Sequence, residues 1–215
     1  FMIAMAMEKW NFHKRLALWI ISLVGTEPQR IILGFMVATA FLSMWISNTA
    51  STMMMLPVAM AVVRQIALDA SLNGEKNTVT RETIEKGLGL VLMLGLAYSA
   101  SIGGVGTLIG TAPNIVFAGL YKNMFPDNPE ISFFDWMVLA IPIVMVFIPL
   151  VWVYLCRFVS PLPLKKISAG SHEIIQRELE DLGPINRAEK IVAMVFCLTA
   201  FLWIFRKPIA LGEFA

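Results

Sequence analysis

Ser43, Ser47, Asn48, Thr49, Ser51 and Thr52 crowd the run FLSMWISNTASTMMMLP, between two apolar stretches at 31–46 and 53–68. Hydroxyl and amide oxygens of this kind suit a small hard cation, whereas N–H groups and a Thr hydroxyl suit a carboxylate. Ser43 precedes Ser47 by four residues, so on a helix its hydroxyl lies on the same face one turn back. A helix that ends here presents unpaired carbonyls, and the arm that follows presents unpaired N–H groups. Ser and Thr in membrane helices also bond backbone or neighbouring helices without any ligand, which is the ordinary reading of Ser51 and Thr52.

A second constellation runs from Tyr98 to Asn114, YSASIGGVGTLIGTAPN. Its glycines do not spell a dinucleotide fingerprint, and with no Lys after them they are not a phosphate-binding loop. Gly106 and Gly110 stand four apart, the spacing of close helix packing. Pro113 removes a donor and biases Ala112 out of the helical region, which leaves free carbonyls in the middle of an apolar segment and favours a cation there.

What is missing narrows the chemistry further. All 15 Asp and Glu lie outside 31–63 and 87–121, so those segments hold no carboxylate for a proton relay. His13 and His172 sit in interfacial or polar stretches remote from Ser47, which removes a Ser-His hydrolase, and no enzyme is expected. Met53, Met54 and Met55 have no Cys or His beside them and read as packing; Cys156 and Cys197 offer neither a disulfide framework nor a metal-ligand spacing.

The elements that must position these groups are membrane helices. The 215 residues are 58% hydrophobic and 15% charged, with a mean hydropathy of +0.73, and the apolar runs are continuous rather than alternating. The fold class is an all-α integral membrane protein, and nucleic acid is not suggested by a net charge of +2. A helix over 31–46 is only ~24 Å long against a hydrocarbon core of ~30 Å. Such a segment stops partway, so 31–70 is expected to be a re-entrant hairpin tipped by Ser-Asn-Thr, entering and leaving on one side.

Around it, 1–30 reads as the end of a membrane helix followed by an interfacial amphipathic helix, and 71–86 as a polar loop with a helix start at Thr80. The stretch 87–121 carries no charge and is too long for one span, so a discontinuous helix is expected there. A loop at 122–133, a spanning helix at 134–157, an interfacial segment at 158–187 with a short helix near 171–182, and another spanning helix at 188–206 complete the reading. Phe1 stands inside an apolar run, with no charged leader region or cleavage site, and the chain reads as a piece of something longer.

The basic residues give an independent check. With the hairpin mouth, the 69–86 loop and the 157–190 segment on one side, only Lys122, Arg206 and Lys207 of the 17 Lys and Arg fall on the other, which makes the hairpin side cytoplasmic.

SNTAST at 47–52 together with SIGGVGTLIGTAPN at 101–114 resembles the divalent anion/sodium symporter family, the dicarboxylate and citrate transporters of the INDY type, over essentially the whole chain. The resemblance implies one part of an inverted-repeat ion transporter fold, in which each repeat supplies a Ser-Asn-Thr hairpin and an unwound helix. It implies that Ser47, Asn48 and Thr49 meet a substrate carboxylate. It also implies that Ser43, Ser47 and Asn48 hold Na+ with backbone from Gly110, Thr111 and Ala112, with Asn114 supporting that turn. Ala112 stands where relatives often have Pro or Gly. This chain has one such triplet, so 207–215 would begin a second half not contained in it.

The function so implied is secondary transport of C4-dicarboxylates such as succinate, malate or fumarate across the bacterial inner membrane by a multi-pass protein. Sodium coupling, an elevator-like movement and a homodimer are expected with it. Sulfate or citrate transport and sodium-independent exchange are the rivals within transport. A non-transporting membrane scaffold is the rival from another class, disfavoured because a scaffold gains nothing from breaking two helices at half-membrane depth. Single cysteines at Asn77 and Asn128, in a background lacking Cys156 and Cys197, are predicted to label from opposite faces of the membrane. Labelling of both from the periplasm would sink the topology.

Overall fold

The computed structural model describes residues 2–24, 27–72, 81–159, 176 and 179–205, and every regular element among them is helical. These are α1 (Met2–Lys9), α2 (Phe12–Val24), α3 (Pro28–Ser43), α4 (Asn48–Leu72), α5 (Arg81–Val105), α6 (Ala112–Met124), α7 (Phe133–Tyr154), a π-helical turn (Leu155–Val159) and α8 (Arg187–Ile204). The helix start at Thr80, most of the helix expected near 171–182, and segment 207–215 lie outside the described residues.

Local chemistry places the helix ends. Glu27, extended at φ −66° and ψ 143°, precedes Pro28 in the first turn of α3, where a missing N–H costs nothing. Ser132 and Asp135 form a reciprocal cap at α7: Asp135 N donates to Ser132 Oγ at 3.1 Å and Ser132 N to Asp135 Oδ2 at 3.3 Å. The Asn186 side chain accepts from Arg187 N at the start of α8.

The centre of the molecule is α5, packed between α3 and α4 and touched by α7. Its inward stripe runs Ile84, Leu88, Val91, Gly95, Ser99 and Gly103, the three-and-four spacing of one helix face. Against it lie Phe35, Met36 and Leu42 of α3 and Val58, Val62, Val63 and Ile66 of α4, all buried in one apolar cluster. On the outer side of α3, Ala17, Leu18 and Ile21 of α2 are buried, and Gly34 lets the backbone of Ile21 approach to where a Cβ would stand 3.0 Å away.

A part-buried ion pair fixes the other edge. Arg15 Nε donates to Glu189 Oε2 at 2.8 Å, and its Nη2 donates to the carbonyls of Leu182 at 3.2 Å and Gly183 at 2.9 Å. Gly183 has φ +65°, the left-handed geometry that ends a helical turn and leaves its carbonyls for a capping cation. One guanidinium thus joins α2, the turn before α8 and α8 itself.

Two expectations are corrected. The triplet is not a loop between arms at 31–46 and 53–68: the turn is Met44–Ser47, and α4 starts at Asn48 because Ser47 caps it and nothing from 48 to 52 breaks it. Its 25 residues continue past the apolar run, and Asn48–Leu68 alone is long and apolar enough to cross a membrane, so only α3 is the short arm. Glu82–Val105 and Phe133–Val159 also qualify as spans; α8 does not, because Arg187, Glu189 and Lys190 occupy its first turn and leave a short apolar remainder.

Candidate functional site

At the end of α3 the carbonyls are less free than the sequence suggests. Met44 N donates to Ala40 O at 3.2 Å and Phe41 O at 3.3 Å, and Trp45 N and Ile46 N both donate to Leu42 O at 3.0 Å. Ser43 O has no donor among the described residues. The start of α4 is open: Ser51 N bonds Ser47 O at 3.0 Å and Ala50 N bonds Ser47 Oγ at 3.3 Å, while the N–H groups of Asn48 and Thr49 have no acceptor among the described residues. Ser47 and Thr49 are exposed and Asn48 is half-buried. An N-terminal turn with two free amides and two exposed hydroxyls is chemically suited to an anion.

The break between α5 and α6 is held by side chains. Asn114, buried in the first turn of α6, donates Nδ2 to Gly104 O at 3.0 Å and to Thr107 O at 2.7 Å. Trp136 of α7 donates Nε1 to Val105 O at 2.8 Å, and Gly106 N donates to Gly103 O at 2.8 Å. The carbonyls of Gly103, Gly104 and Val105 are therefore paired. Gly110 O is different, with no donor among the described residues. Thr111 caps α6 without a side-chain bond, and Ala112 is the first residue of that helix, so its carbonyl points along α6 away from the break.

Tip and break meet because glycine lets them. A Cβ on Gly103 would lie 2.2 Å from Ala40 O and 2.4 Å from Ala40 Cα; one on Gly104 would lie 2.3 Å from Asn48 Oδ1; one on Gly110 would lie 2.4 Å from Gly104 O. Gly104 is therefore in contact with Asn48 and with Gly110. Ser43 Oγ stands 2.7 Å from Asn48 Oδ1 and 2.7 Å from Ala100 O. A hydroxyl has one proton and cannot donate to both. Either the Asn48 amide turns to offer its Nδ2 to Ser43, or a cation takes Ser43 Oγ and Asn48 Oδ1 as ligands. The described residues contain no cluster of three His, Cys, Asp or Glu, so a cation at this junction would be held by neutral oxygens.

Of the residues singled out by sequence, Ser43 and Asn48 touch, Asn114 clips the break, and Gly110 reaches the junction through Gly104. No contact brings the side chains of Thr111 and Ala112 to Asn48 among the described residues. Thr52 bonds its own helix, Oγ1 to Asn48 O at 2.9 Å, and buried Ser51 Oγ has no partner there. Sequence reasoning missed Gly103, Gly104, Thr107 and Trp136, having assigned close packing to Gly106 and Gly110. The available signal was the four-residue spacing of small residues at Gly95, Ser99 and Gly103.

Overpacking at this contact is predicted to be costly. Gly103→Ala should destabilise the protein by about 1–3 kcal/mol, because both partners are backbone and cannot rotate away. Gly119→Ala, with nothing within 4 Å of its Cβ, should be neutral or slightly stabilising. Thermal unfolding in detergent measures both, and equal melting temperatures would refute the contact.

The comparisons with known proteins bear on the same elements. Residues 1–213 match the family described as the sodium:sulfate symporter transmembrane region. The chain is 43% identical over 208 residues to the sodium-dependent dicarboxylate transporter SdcS of Staphylococcus saprophyticus, covering 96% of this chain and 38% of that protein. It is 42% identical over 207 residues to SdcS of Staphylococcus aureus, with the same coverage of 96% and 38%. The chain thus spans about two-fifths of the length of these relatives. With its helical membrane architecture and a match over nearly its full length, the chain belongs to the sodium:sulfate symporter transmembrane family, whose members are transporters rather than enzymes.

Proposed function

We propose that this chain forms one portion of a sodium-coupled carrier of C4-dicarboxylates such as succinate, malate or fumarate. The observation that carries the reading is the junction itself: Ser43 Oγ crowded by Asn48 Oδ1 and Ala100 O, beside an α4 N-terminus with free amides and exposed Ser47 and Thr49. Sodium would take Ser43 and Asn48 oxygens and the Gly110 carbonyl, with Ser47 as a further hydroxyl ligand. Thr111 and Ala112 would contribute through the turn rather than as side-chain ligands. The names of the relatives, sodium-dependent dicarboxylate transporters, support the substrate class.

The order of binding follows from charge. A bound cation draws the tip and the break together and presents positive charge beside the anion-binding turn, so the dianion binds the sodium-loaded state better than the empty one. Coupling is then a differential affinity between two states of the same tip. The neutral ligand set matters here, since a carboxylate ligand would cancel the charge that favours the substrate.

The hairpin α3–α4, the broken helix α5–α6 and the α7 tether would move as a block, in an elevator-like way, with α3 as a re-entrant arm. The extensive packing of α5 against both α3 and α4 supports treating them as one body. The bacterial plasma membrane is the proposed location, supported by the source of the relatives, and a homodimer the proposed assembly, resting on family resemblance alone. The family description names sulfate, which favours one second reading, a sulfate carrier using the same tip.

Uptake of labelled succinate by the full-length carrier in liposomes under an inward sodium gradient tests the assignment. Asn48→Ala should reduce uptake to background. Ser51→Ala should leave most of it, because it removes a hydroxyl that bonds nothing among the described residues. Near-normal uptake by both variants would make the triplet structural, and uptake of labelled sulfate with indifference to succinate would favour the second reading.

A further inference from the structure

Thr107 is fully buried, and its hydroxyl is used twice. Oγ1 donates to Met44 O in the turn that ends α3, and it accepts from Gly110 N at 3.1 Å in the break between α5 and α6. Met44 follows Ser43 directly and Gly110 carries the open carbonyl, so this one oxygen ties together backbone on the two sides of the ligand set. The same pair of segments touches again where Gly106 faces Met44, whose Cε would stand 2.9 Å from a Cβ on that glycine. Unlike Ser43, the Thr107 hydroxyl has a balanced set of bonds, one donated and one accepted. It therefore needs no ion to satisfy it and can hold the geometry before an ion arrives.

We propose that Thr107 is a positioning residue that sets sodium affinity by holding the Met44–Ser47 turn against the 106–111 break in the ion-free protein. This rests on the sodium-coupled reading above. Binding to a site that is assembled only part of the time is weakened by the assembled fraction. Without the hydroxyl, Met44 O loses its bond to the break while Gly110 N keeps only Thr107 O at 3.3 Å, the two segments separate part of the time, and sodium must do the assembling itself. The predicted signature is a higher sodium concentration at half-maximal uptake with an unchanged maximal rate once sodium saturates.

The test uses the full-length carrier in liposomes, with labelled succinate uptake followed against external sodium. Thr107→Val, which keeps the shape and removes the hydroxyl, should raise the half-saturating sodium concentration by about three- to ten-fold, the range of one lost hydrogen bond. Thr107→Ser, which keeps the oxygen, should stay within about two-fold of the unmodified protein, and Thr107→Ala should behave as Val does should the valine protein fail to fold. A lowered maximal rate with an unchanged sodium requirement overturns the proposal, as does failure of both Val and Ala proteins to fold while Ser folds, since either makes the role structural. Sodium-dependent uptake by the unmodified carrier combined with an unaltered Val variant overturns this inference alone. Uptake that ignores sodium in the unmodified carrier overturns the sodium-coupled reading and this inference with it.

Discussion

Two helix backbones can touch only where a side chain is missing, and in this protein that constraint falls at Gly103 and Gly104. Each would place a Cβ inside the van der Waals radius of the hairpin, one against the Ala40 backbone and the other against the Asn48 amide. With those atoms absent, α5 comes close enough for Ser43 to reach both Asn48 and Ala100 and for Thr107 to reach Met44. Adding a methyl group at either position would push the hairpin and the break apart. The energetic logic is that of membrane helices generally, where packing and interhelical hydrogen bonds replace the hydrophobic drive.

The polar groups around this contact divide into those satisfied by protein and those left open. Asn114 and Trp136 satisfy the last carbonyls of α5, and the turn amides satisfy most of those at the end of α3. Among the groups left open are Ser43 O, Gly110 O and the two amides that open α4, which are of the kinds a cation and an anion would need. A break in a buried helix is costly unless its backbone groups are paired, and Asn114, Trp136 and Thr107 each lower that cost by pairing a carbonyl or amide at the turn or the break.

The break between α5 and α6 was legible because Gly and Pro punctuate a hydrophobic sequence, and the helical membrane class was legible from continuous apolar runs, whereas the turn at Met44–Ser47 lies just ahead of where the triplet placed it. The length of α4 was not. Hydropathy measures where lipid-compatible residues stop, whereas α4 is bounded at one end by the Ser47 cap and runs on through polar residues at the other. The partners of the glycines were hidden for a different reason: a small residue advertises close approach but not which neighbour approaches. Thr107 carried no signal at all, since a Thr that clips two segments and a Thr that bonds its own helix have the same letter. The Arg15 and Glu189 pair joins residues far apart in sequence, a distance no local pattern spans.

In the proposed function, tip and break form one cation site of neutral oxygens. The most direct measurement is the melting temperature of the full-length protein in detergent, titrated with sodium chloride against potassium chloride at equal ionic strength. A ligand that binds only the folded protein raises its stability with the logarithm of concentration above its dissociation constant. The melting temperature should rise with sodium and little or not at all with potassium, and the sodium effect should be lost in Ser43→Ala. Equal rises with both salts, or a sodium effect that survives Ser43→Ala undiminished, would contradict it.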